Sequence, residues 1–440
     1  MAMRAIKIGQ IDGGFSRFSL GGFALLACTT SAFGQEDDTF GSSVTSREAS
    51  RLRQGGVRTG SFLVLPSVQF DLAYNDNILA TETNSTSDGI ATVRPEVSVE
   101  SNWNNHSFRL NGRYQKTAYF DNSSENVSEY GVAANGRLDI SRQTRLAASV
   151  DYNRLAERRG DLGSFQSTAE RVKFSTLGGT LSLDQGLGDL TVRAEARAQI
   201  WRYEDVALPG GALLDQTFRN FSVVSGSLQT GYSVSPITQF FTRATVEARR
   251  YDLRPGDVGF DPLTGVDRSS NSFRLEFGVQ RELTQLLTAN VRVGYLNFRY
   301  PDPTVRDLKV LAYSATLRWN VTPLTSIYVD GERGVDETVS PTTAGNLRDE
   351  VRLKVDHELL RNFVVTGRAR LGWIKPSVVN AGPGFVLGNS RERQFEFESR
   401  YYIKDRLRLQ FALRHQARSS AINFLNFKSN TVSVGMHYAL

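Results

Sequence analysis

The stretch LTVRAEARAQI at residues 190–200 decides the fold of this chain. Every even-numbered position in it is apolar, and the odd-numbered positions from Arg193 to Gln199 carry charged or amide side chains. Successive side chains of a strand point to opposite faces, so strand spacing sorts these two classes cleanly, whereas a helix would scatter the charges around its axis. The stretch therefore predicts a β-strand with one apolar face and one charged face.

The same alternation recurs from residue 61 to the last residue. In residues 65–74, for example, Val68, Phe70 and Leu72 share one face and polar residues occupy the other. The repetition predicts an all-β chain of about 18 strands. The predicted strands are 63–75, 91–103, 107–120, 130–140, 144–155, 173–184, 190–203, 218–234, 239–251, 272–283, 287–300, 308–321, 326–336, 348–359, 363–375, 393–404, 406–416 and 429–440.

The connections between these strands alternate between short and long. Short ones such as 104–105 and 322–325 predict tight hairpins, and long ones such as 156–172 and 252–271 are rich in residues that break strands and are well solvated. Hairpin after hairpin predicts an antiparallel up-and-down order. Because the number of strands is even, both termini are expected on the side of the short turns.

Three features favour a transmembrane barrel over a soluble sandwich. The predicted strands are long enough to cross a bilayer at a tilt. The hidden face is charged in strand after strand, and burying so many charges in a dry core would cost several kcal/mol each. Aromatic residues cluster near both strand ends, as interfacial girdles do. They are Tyr74, Tyr119, Tyr130, Tyr152, Tyr203, Tyr251, Phe273, Tyr300, Trp373 and Phe395 near the long loops, and Trp103, Phe108, Tyr232, Phe240, Trp319, Phe363 and Tyr438 near the short turns.

The first 34 residues have the pattern of a secretory signal peptide. A positively charged start precedes a short apolar segment at 20–28, and Ala32 and Gly34 then place a cleavage site before Gln35. The apolar segment is too short to span a bilayer, and the chain has no stretch of about 18 apolar residues that would predict a spanning helix. We therefore expect an exported protein.

The remaining chain divides into two parts. Residues 35–60 are polar and without period, which predicts a flexible periplasmic tail or a plug, and residues 61–440 form the predicted barrel. Cys28 is the only cysteine. Ordinary cleavage leaves a mature chain without thiols, and the alternative is that Cys28 is lipidated as in a lipoprotein.

The sequence holds no pattern that predicts catalysis. The four histidines lie on separate strands or turns without ligand spacing, and neither a phosphate-binding loop nor a G-x-S-x-G motif is present. The 52 basic and 46 acidic residues are spread evenly, which argues against a nucleic-acid surface. We predict no catalytic residue, no metal ligand, no cofactor and no nucleic-acid partner.

The functional signal lies in the charged face, which lines the lumen of the predicted barrel. These side chains either brace the wall as ion pairs or contact a solute, and their excess of arginine predicts a mild preference for anions. The predicted lumen-lining residues are Arg109, Arg113, Arg193, Glu195, Arg197, Arg243, Glu247, Arg249, Arg274, Glu276, Arg318, Arg352, Arg368, Arg370, Glu396, Glu398 and Arg408.

The start of the predicted barrel carries a recognisable motif within residues 72–110. The motif residues are Tyr74, Asn75, Asp76, Asn77, Ile78 and Trp103. With this motif the chain resembles the outer-membrane beta-barrel porin family of alphaproteobacterial type, whose members are often encoded beside genes for exopolysaccharide or capsule assembly. The resemblance implies a porin-like channel and raises the hypothesis of an exit for a surface exopolysaccharide.

These observations predict the outer membrane of a Gram-negative bacterium, with both termini in the periplasm. The expected partners are outer-membrane lipid, the barrel-assembly machinery and, as a hypothesis, a polysaccharide or polysaccharide-export proteins. The last strand ends with an aromatic at Tyr438, which resembles the C-terminal signal of outer-membrane barrels, although Leu440 replaces the usual terminal Phe or Trp. The main hypothesis is a channel for hydrophilic solutes, and the alternative is a non-conducting structural or adhesion barrel. An enzyme is the third and weakest interpretation.

Overall fold

The fold is taken from a computed structural model, which describes residues 43–44, 56–161, 168–260, 266–336, 343–378, 388–404 and 406–440. The predicted signal peptide at 1–34 and most of the predicted tail at 35–60 lie outside the described residues. In the part of the chain that the structure describes, no helix has the length and apolar character of a membrane span.

Strands dominate the described chain. They are β1 (Val57–Thr59), β2 (Phe62–Asn75), β3 (Asp88–Ser101), β4 (Ser107–Tyr119), β5 (Val127–Asp139), β6 (Thr144–Ala156), β7 (Lys173–Leu187), β8 (Leu190–Tyr203), β9 (Val206–Ala207), β10 (Leu213–Leu214), β11 (Phe221–Ser235), β12 (Thr238–Tyr251), β13 (Ser270–Thr284), β14 (Leu287–Arg299), β15 (Leu308–Thr322), β16 (Thr325–Asp336), β17 (Thr343–Leu360), β18 (Phe363–Val378), β19 (Ser390–Lys404), β20 (Leu407–Ser420) and β21 (Phe427–Ala439).

Eighteen of these strands close into one antiparallel barrel. Each barrel strand pairs with its neighbours in chain order, and β21 pairs with β2 to close the ring, as in the register Val68 to Tyr438. Strand β1 adds a short hairpin at the start of β2, and β9 with β10 forms a small hairpin inside a loop. The predicted all-β, 18-stranded up-and-down barrel is confirmed.

Short turns and long loops lie at opposite ends of the barrel. The turns at the short-turn end include 188–189, 236–237 and 323–324, and the loops at the other end include 157–172 and 252–269. Closure removes the sheet edges that would otherwise invite aggregation.

Three of the long loops share a device that ends one strand and begins the next. Each contains a 3-10 turn followed by an asparagine, and the asparagine Oδ1 accepts a backbone N–H near the end of the preceding strand. Asn126 accepts from Tyr119 at 2.6 Å, Asn220 from Tyr203 at 2.7 Å, and Asn426 from Ser420 at 2.6 Å. The side-chain oxygen thus satisfies an N–H that the ladder leaves unpaired.

The outer face of the barrel is apolar and exposed. Val224, Leu228 and Tyr232 alternate along β11 with exposures of 59%, 51% and 54%. Several predicted girdle aromatics share this face, but Tyr119, Tyr203, Tyr251 and Tyr300 do not. Tyr203 and Tyr251 are 6% and 8% exposed and belong to an inward-facing cluster with Trp201 and Phe221. Tyr119 pairs in register with the inward Ile90, and Tyr300 packs against an inward cluster of β14. Their assignment to the girdle was wrong, because loops cover the inner face at this end and replace its charges by packed rings.

Candidate functional site: the lumen and its outer mouth

The predicted lumen-lining residues all lie on the inward faces of their strands. On β8, for instance, Arg193, Glu195 and Arg197 are half-buried, whereas Ala194 and Ala196 between them are exposed on the other face. Of the seventeen, Arg318 alone is exposed. Whether these residues contact a solute stays a prediction.

The wall from β16 to β20 carries the densest ion pairing. Glu350 contacts Arg370 at 2.8 Å and Arg352 at 3.2 Å. Glu396 bridges Arg368 at 2.5 Å and Arg414 at 2.8 Å. Each of these carboxylates is shared by at least two guanidinium groups, so this wall carries dense networks of charge-assisted contacts.

The ion pairs around Glu350 continue through Arg370 to the long-loop ends of these strands. Glu392 contacts Arg418 at 2.6 Å, Arg348 at 2.9 Å and Arg370 at 3.8 Å. Further down, Glu398 contacts Arg368 at 2.7 Å. Of the predicted residues, Arg352 and Arg370 belong to the network around Glu350 and Glu392. Arg368, Glu396 and Glu398 belong to a second network beside it.

The wall from β7 to β12 is paired more loosely. Arg193 lies 3.4 Å from Glu195, and Arg243 lies 3.7 Å from the same carboxylate. Arg197 and Glu247 both pair in register with Ser225, so they flank a serine on one transverse row of the lumen. Neither has an oppositely charged partner at salt-bridge distance among the described residues, which leaves both free to contact a solute.

The remaining predicted residues lie near a carboxylate, contact an uncharged side chain, or have no carboxylate at salt-bridge distance. Arg274 lies 3.9 Å from the buried Glu276, and Arg109 lies 3.0 Å from Glu100. Arg113 donates to the Asn153 side chain at 2.9 Å, and Arg249 lies over the Phe221 ring at 5.4 Å. In the described part of the chain, Arg318 and Arg408 have no carboxylate within salt-bridge distance.

A segment of the β6–β7 loop, residues 157–161, crosses the mouth of the lumen at the long-loop end; we call it the strap. Its Gly160 has a φ of +86°, and a Cβ placed there would lie 2.7 Å from Cβ of Ala80 and 3.1 Å from the inward Phe427 ring. Phe427 begins β21, five strand positions from β6 around the ring of eighteen. Only glycine fits this close approach and this backbone angle.

Buried ion pairs hold the strap at its base. Glu157 contacts Arg219 of the β8–β11 loop at 2.5 Å, and the two side chains are 2% and 1% exposed. Arg159 contacts Glu125 of the β4–β5 loop at 2.6 Å, again with both nearly buried. Arg171 donates to the Glu157 carbonyl at 2.7 Å. Three neighbouring loops are therefore locked together over the mouth.

The tip of the strap brings charge close to the part of the wall formed by β20. Burial raises the pKa of Asp161, and the guanidinium groups of Arg158 and Arg418 act against that rise. Burial lowers the pKa of Arg158 to about 9, and repulsion from Arg414 adds to this. Arg414 and Arg418 lie on β20, six strand positions from β6.

At the short-turn end, part of the predicted tail lies inside the barrel. Val44 is 1% exposed and packs against Val364 of β18 and Tyr402 of β19, both on the inner face. Its backbone N–H donates to the Ser326 hydroxyl at 3.3 Å. The two ends of the lumen are thus both contacted by segments outside the wall.

The predicted family motif fastens the first strand to the last. Asn77 is 4% exposed, and its Nδ2 donates to the carbonyls of Thr81 at 2.8 Å and Lys428 at 2.9 Å. Asp76 accepts from the Asn430 backbone at 2.7 Å. The other motif residues lie at both ends of the barrel. At the long-loop end, the Asn75 side chain forms hydrogen bonds with Thr431 and Ser429, Tyr74 is exposed and Ile78 is buried. At the short-turn end, Trp103 packs against Phe62.

Reasoning from sequence missed the strap and its anchors Glu157, Arg159 and Arg219. A signal was present, because residues 156–161 read AERRGD and the following residues 162–169 carry no charge. A dense cluster of charged residues inside a long loop predicts a segment that lies at the mouth of the barrel. Among the described residues, no group of His, Cys, Asp and Glu has the arrangement of a metal site.

Comparison with known families identifies the chain. The family described as "Putative beta-barrel porin 2" matches residues 52–440. This chain belongs to that family. It is therefore a porin-type barrel of the Gram-negative outer membrane, as the motif within residues 72–110 predicted.

Solved structures similar to this porin-family chain are also outer-membrane barrels. OccK2 (OpdF) of Pseudomonas aeruginosa has 11% identity and a TM-score of 0.43, covering 88% of this chain and 100% of its own. A BenF-like porin from Pseudomonas fluorescens Pf-5 has 12% identity and a TM-score of 0.43, covering 86% and 99%. The siderophore receptor PirA from Acinetobacter baumannii has 9% identity and a TM-score of 0.46, covering 86% and 80%. No curated protein matches the chain.

Proposed function

We propose that this barrel is a gated channel for hydrophilic solutes. The observation that carries the proposal is a charged inner face around an 18-stranded ring, crossed at its outer mouth by the strap. A ring of this size is wide enough for an aqueous lumen. In this proposal the strap narrows the mouth and its movement sets the conductance.

The orientation that we propose places the long loops outside the cell and both termini in the periplasm. Short turns on the terminal side and long loops on the other are typical of outer-membrane barrels. The position of Val44 supports this orientation, because a periplasmic tail can enter the lumen from the short-turn end.

The solutes that we propose are hydrophilic molecules with a mild preference for anions. Arg197, Arg318 and Arg408 face the lumen and lack carboxylate partners in the described chain, and a guanidinium suits carboxylates and sugar acids. An acidic exopolysaccharide on its way to the cell surface is the finer form of this proposal. Acidic oligosaccharides should then block the ion current at lower concentrations than neutral ones of equal length.

The deciding experiment is planar-bilayer conductance of the refolded mature chain, with and without residues 35–55. This truncation keeps β1 and removes the segment that holds Val44. Steady single-channel steps in either form support the channel, and a larger step after truncation identifies the tail as a plug.

The second candidate is a non-conducting barrel that presents its long loops to a partner. The buried pairs that fasten the strap favour it, because they make the mouth costly to open. Silence of both forms in the bilayer, together with a heat-modifiable folded band, would establish this alternative and exclude the simple channel.

For assembly, we propose that the barrel-assembly machinery recognises the last strand. Strand β21 alternates Val432, Val434 and Met436 on its outer face and ends with Tyr438. Replacing Tyr438 by Ser should lower the folded, heat-modifiable fraction in cells.

A further inference from the structure

The outer face of the barrel carries charges of almost one sign. Among the described strand residues, the outward-facing acidic side chain is Asp349, whereas basic side chains recur at the strand ends nearest the long loops. We call these basic residues the rim belt. They are Lys116, Arg154, Lys173, Arg202, Arg250, Arg299, Lys309, Arg333, Lys375, Arg391, Arg393 and Lys428.

The short-turn ends of the strands carry far fewer basic residues on the outer face than the long-loop ends do. At these short-turn ends the outer face of the described strands carries two basic residues, Arg281 on β13 and Lys404 at the end of β19. The chain has eight lysines, and five of them lie in the rim belt. Basic residues facing lipid are tolerated only at the level of the head groups, so the belt marks the depth of one membrane surface.

Four members of the belt are neutralised by the protein itself. Arg154 contacts Glu204 at 2.7 Å, Lys173 contacts Glu170 at 2.8 Å, and Arg202 contacts Asp252 at 3.1 Å. Arg333 contacts Asp349, the lone outward carboxylate of the described strands. The other eight are exposed, and none has a carboxylate at salt-bridge distance among the described residues.

The unpaired charges are densest on β18 and β19. Arg391 pairs in register with Trp373, Arg393 pairs with Leu371, and Lys375 follows Trp373 on the same face. Lys375 is diagonal to Arg391, at about 8 Å, and Arg393 follows Arg391 on the same face, at about 7 Å. Both therefore flank Arg391, and the three long side chains can share an anion bound beside it. Trp373 is 38% exposed beside them, and an indole at this depth is typical of the membrane interface.

We propose that the rim belt binds the phosphate groups of lipid A in the outer leaflet, with Lys375, Arg391 and Arg393 as its strongest site. Lys and Arg bind phosphate through charge-assisted hydrogen bonds. A ring of cations at one membrane surface fits a leaflet whose lipids carry phosphorylated glucosamine head groups. This inference rests on the orientation in the proposed function, because it places the belt at the outer surface.

The test is retention of lipid A by the full folded barrel in detergent, measured by native mass spectrometry. The probes are bisphosphorylated lipid A, its dephosphorylated form and phosphatidylglycerol. The variant K375Q/R391Q/R393Q is compared with wild type, and R391Q is compared with R281Q as a matched single change at the other end. Each basic residue near an anionic membrane surface contributes about fivefold to binding, so we expect the triple variant to lose about a hundredfold in affinity.

We expect wild type to retain bisphosphorylated lipid A over both other probes, and R391Q to lose affinity where R281Q does not. Equal retention by the triple variant, or equal retention of phosphatidylglycerol, would overturn the assignment to lipid A. The readout does not depend on conductance. A conducting barrel that ignores lipid A therefore refutes this inference alone, and a silent barrel that retains lipid A refutes the channel alone.

Discussion

Strands β18 and β19 carry basic side chains on both faces, in opposite electrostatic settings. On the inner face, Arg368 contacts two carboxylates at 2.5 and 2.7 Å. On the outer face, Lys375, Arg391 and Arg393 have no carboxylate at salt-bridge distance in the described chain. The two sets are separated by the thickness of one sheet.

The difference in pairing indicates a different role for each set of basic residues. A charge that the protein itself neutralises is a structural element, since removing its partner leaves an uncompensated ion in a poorly hydrated place. A charge left exposed and unpaired costs the fold little and is available to an external anion. Pairing therefore divides the arginines of this chain into braces and binding groups more clearly than their location does.

The largest effect is expected at the strap. In Glu157→Ala the carboxylate that contacts the buried Arg219 is lost, which should weaken docking of the strap by about 4 kcal/mol. We expect the strap to leave the mouth and the single-channel conductance to rise. The control is Glu204→Ala, which breaks the exposed pair with Arg154 and should cost at most about 1 kcal/mol. Unchanged conductance in Glu157→Ala would show that the strap does not gate the lumen.

The next largest effect is a difference in the free energy of unfolding between variants of two neighbouring residues, Glu392 on the inner face and Arg391 on the outer face. Glu392→Gln removes the carboxylate shared by three arginines, whereas Arg391→Gln changes an exposed cation on the outer face. We expect Glu392→Gln to lower the free energy of unfolding by about 3 kcal/mol and Arg391→Gln to change it by less than about 0.5 kcal/mol. Urea unfolding in lipid vesicles, followed by tryptophan emission, measures both. Similar values for the two variants would remove the distinction between braces and binding groups.

Most of the barrel could be predicted from sequence because each strand is encoded locally. Alternation in a stretch such as 190–200 assigns both the strand and its two faces, and the length of each connection assigns its end of the barrel. The even count and the closure of β2 on β21 then follow. The inward placement of Arg193, Glu195 and Arg197 needed no information beyond their own strand.

The charged residues 156–161 mark this loop in the sequence, but the path of the strap across the mouth could not be predicted, because it depends on contacts between distant parts of the ring. Gly160 meets Ala80 and Phe427 only after the barrel has closed, and no local pattern encodes that meeting. The assignment of Tyr203 to the aromatic girdle was wrong for a related reason. An aromatic residue at a strand end can lie either in a girdle at the membrane interface or on an inner face that a loop covers. The tertiary cover over β8 decides between them.

Arg193 and Arg197 of β8 are expected to differ in their effect on ion selectivity. Arg193 is held by Glu195, whereas Arg197 faces the lumen without a carboxylate partner in the described chain. We expect Arg197→Glu to shift ion selectivity toward cations, and Arg193→Glu to shift it less while destabilising the wall. Reversal potentials in a salt gradient measure the shift. If neither variant changes selectivity or conductance, ions do not pass along this wall and both residues serve as braces.

The smallest effect that we expect is a dependence of strap docking, and hence of the open probability, on pH. Burial raises the pKa of Asp161 when the strap is docked, so the docked state takes up a proton more readily than a strap released into water. Docking should therefore strengthen as the pH falls from 7 toward the ordinary aspartate pKa of about 3.9, and the open probability should fall with it. The groups facing Asp161 are Arg158, Arg418 and Glu392. Asp161→Asn is neutral at every pH and should lose this dependence while keeping the shape of the side chain. A wild-type channel that opens more as the pH falls would mean that attraction between ionised Asp161 and its two arginines, and not burial, controls the strap.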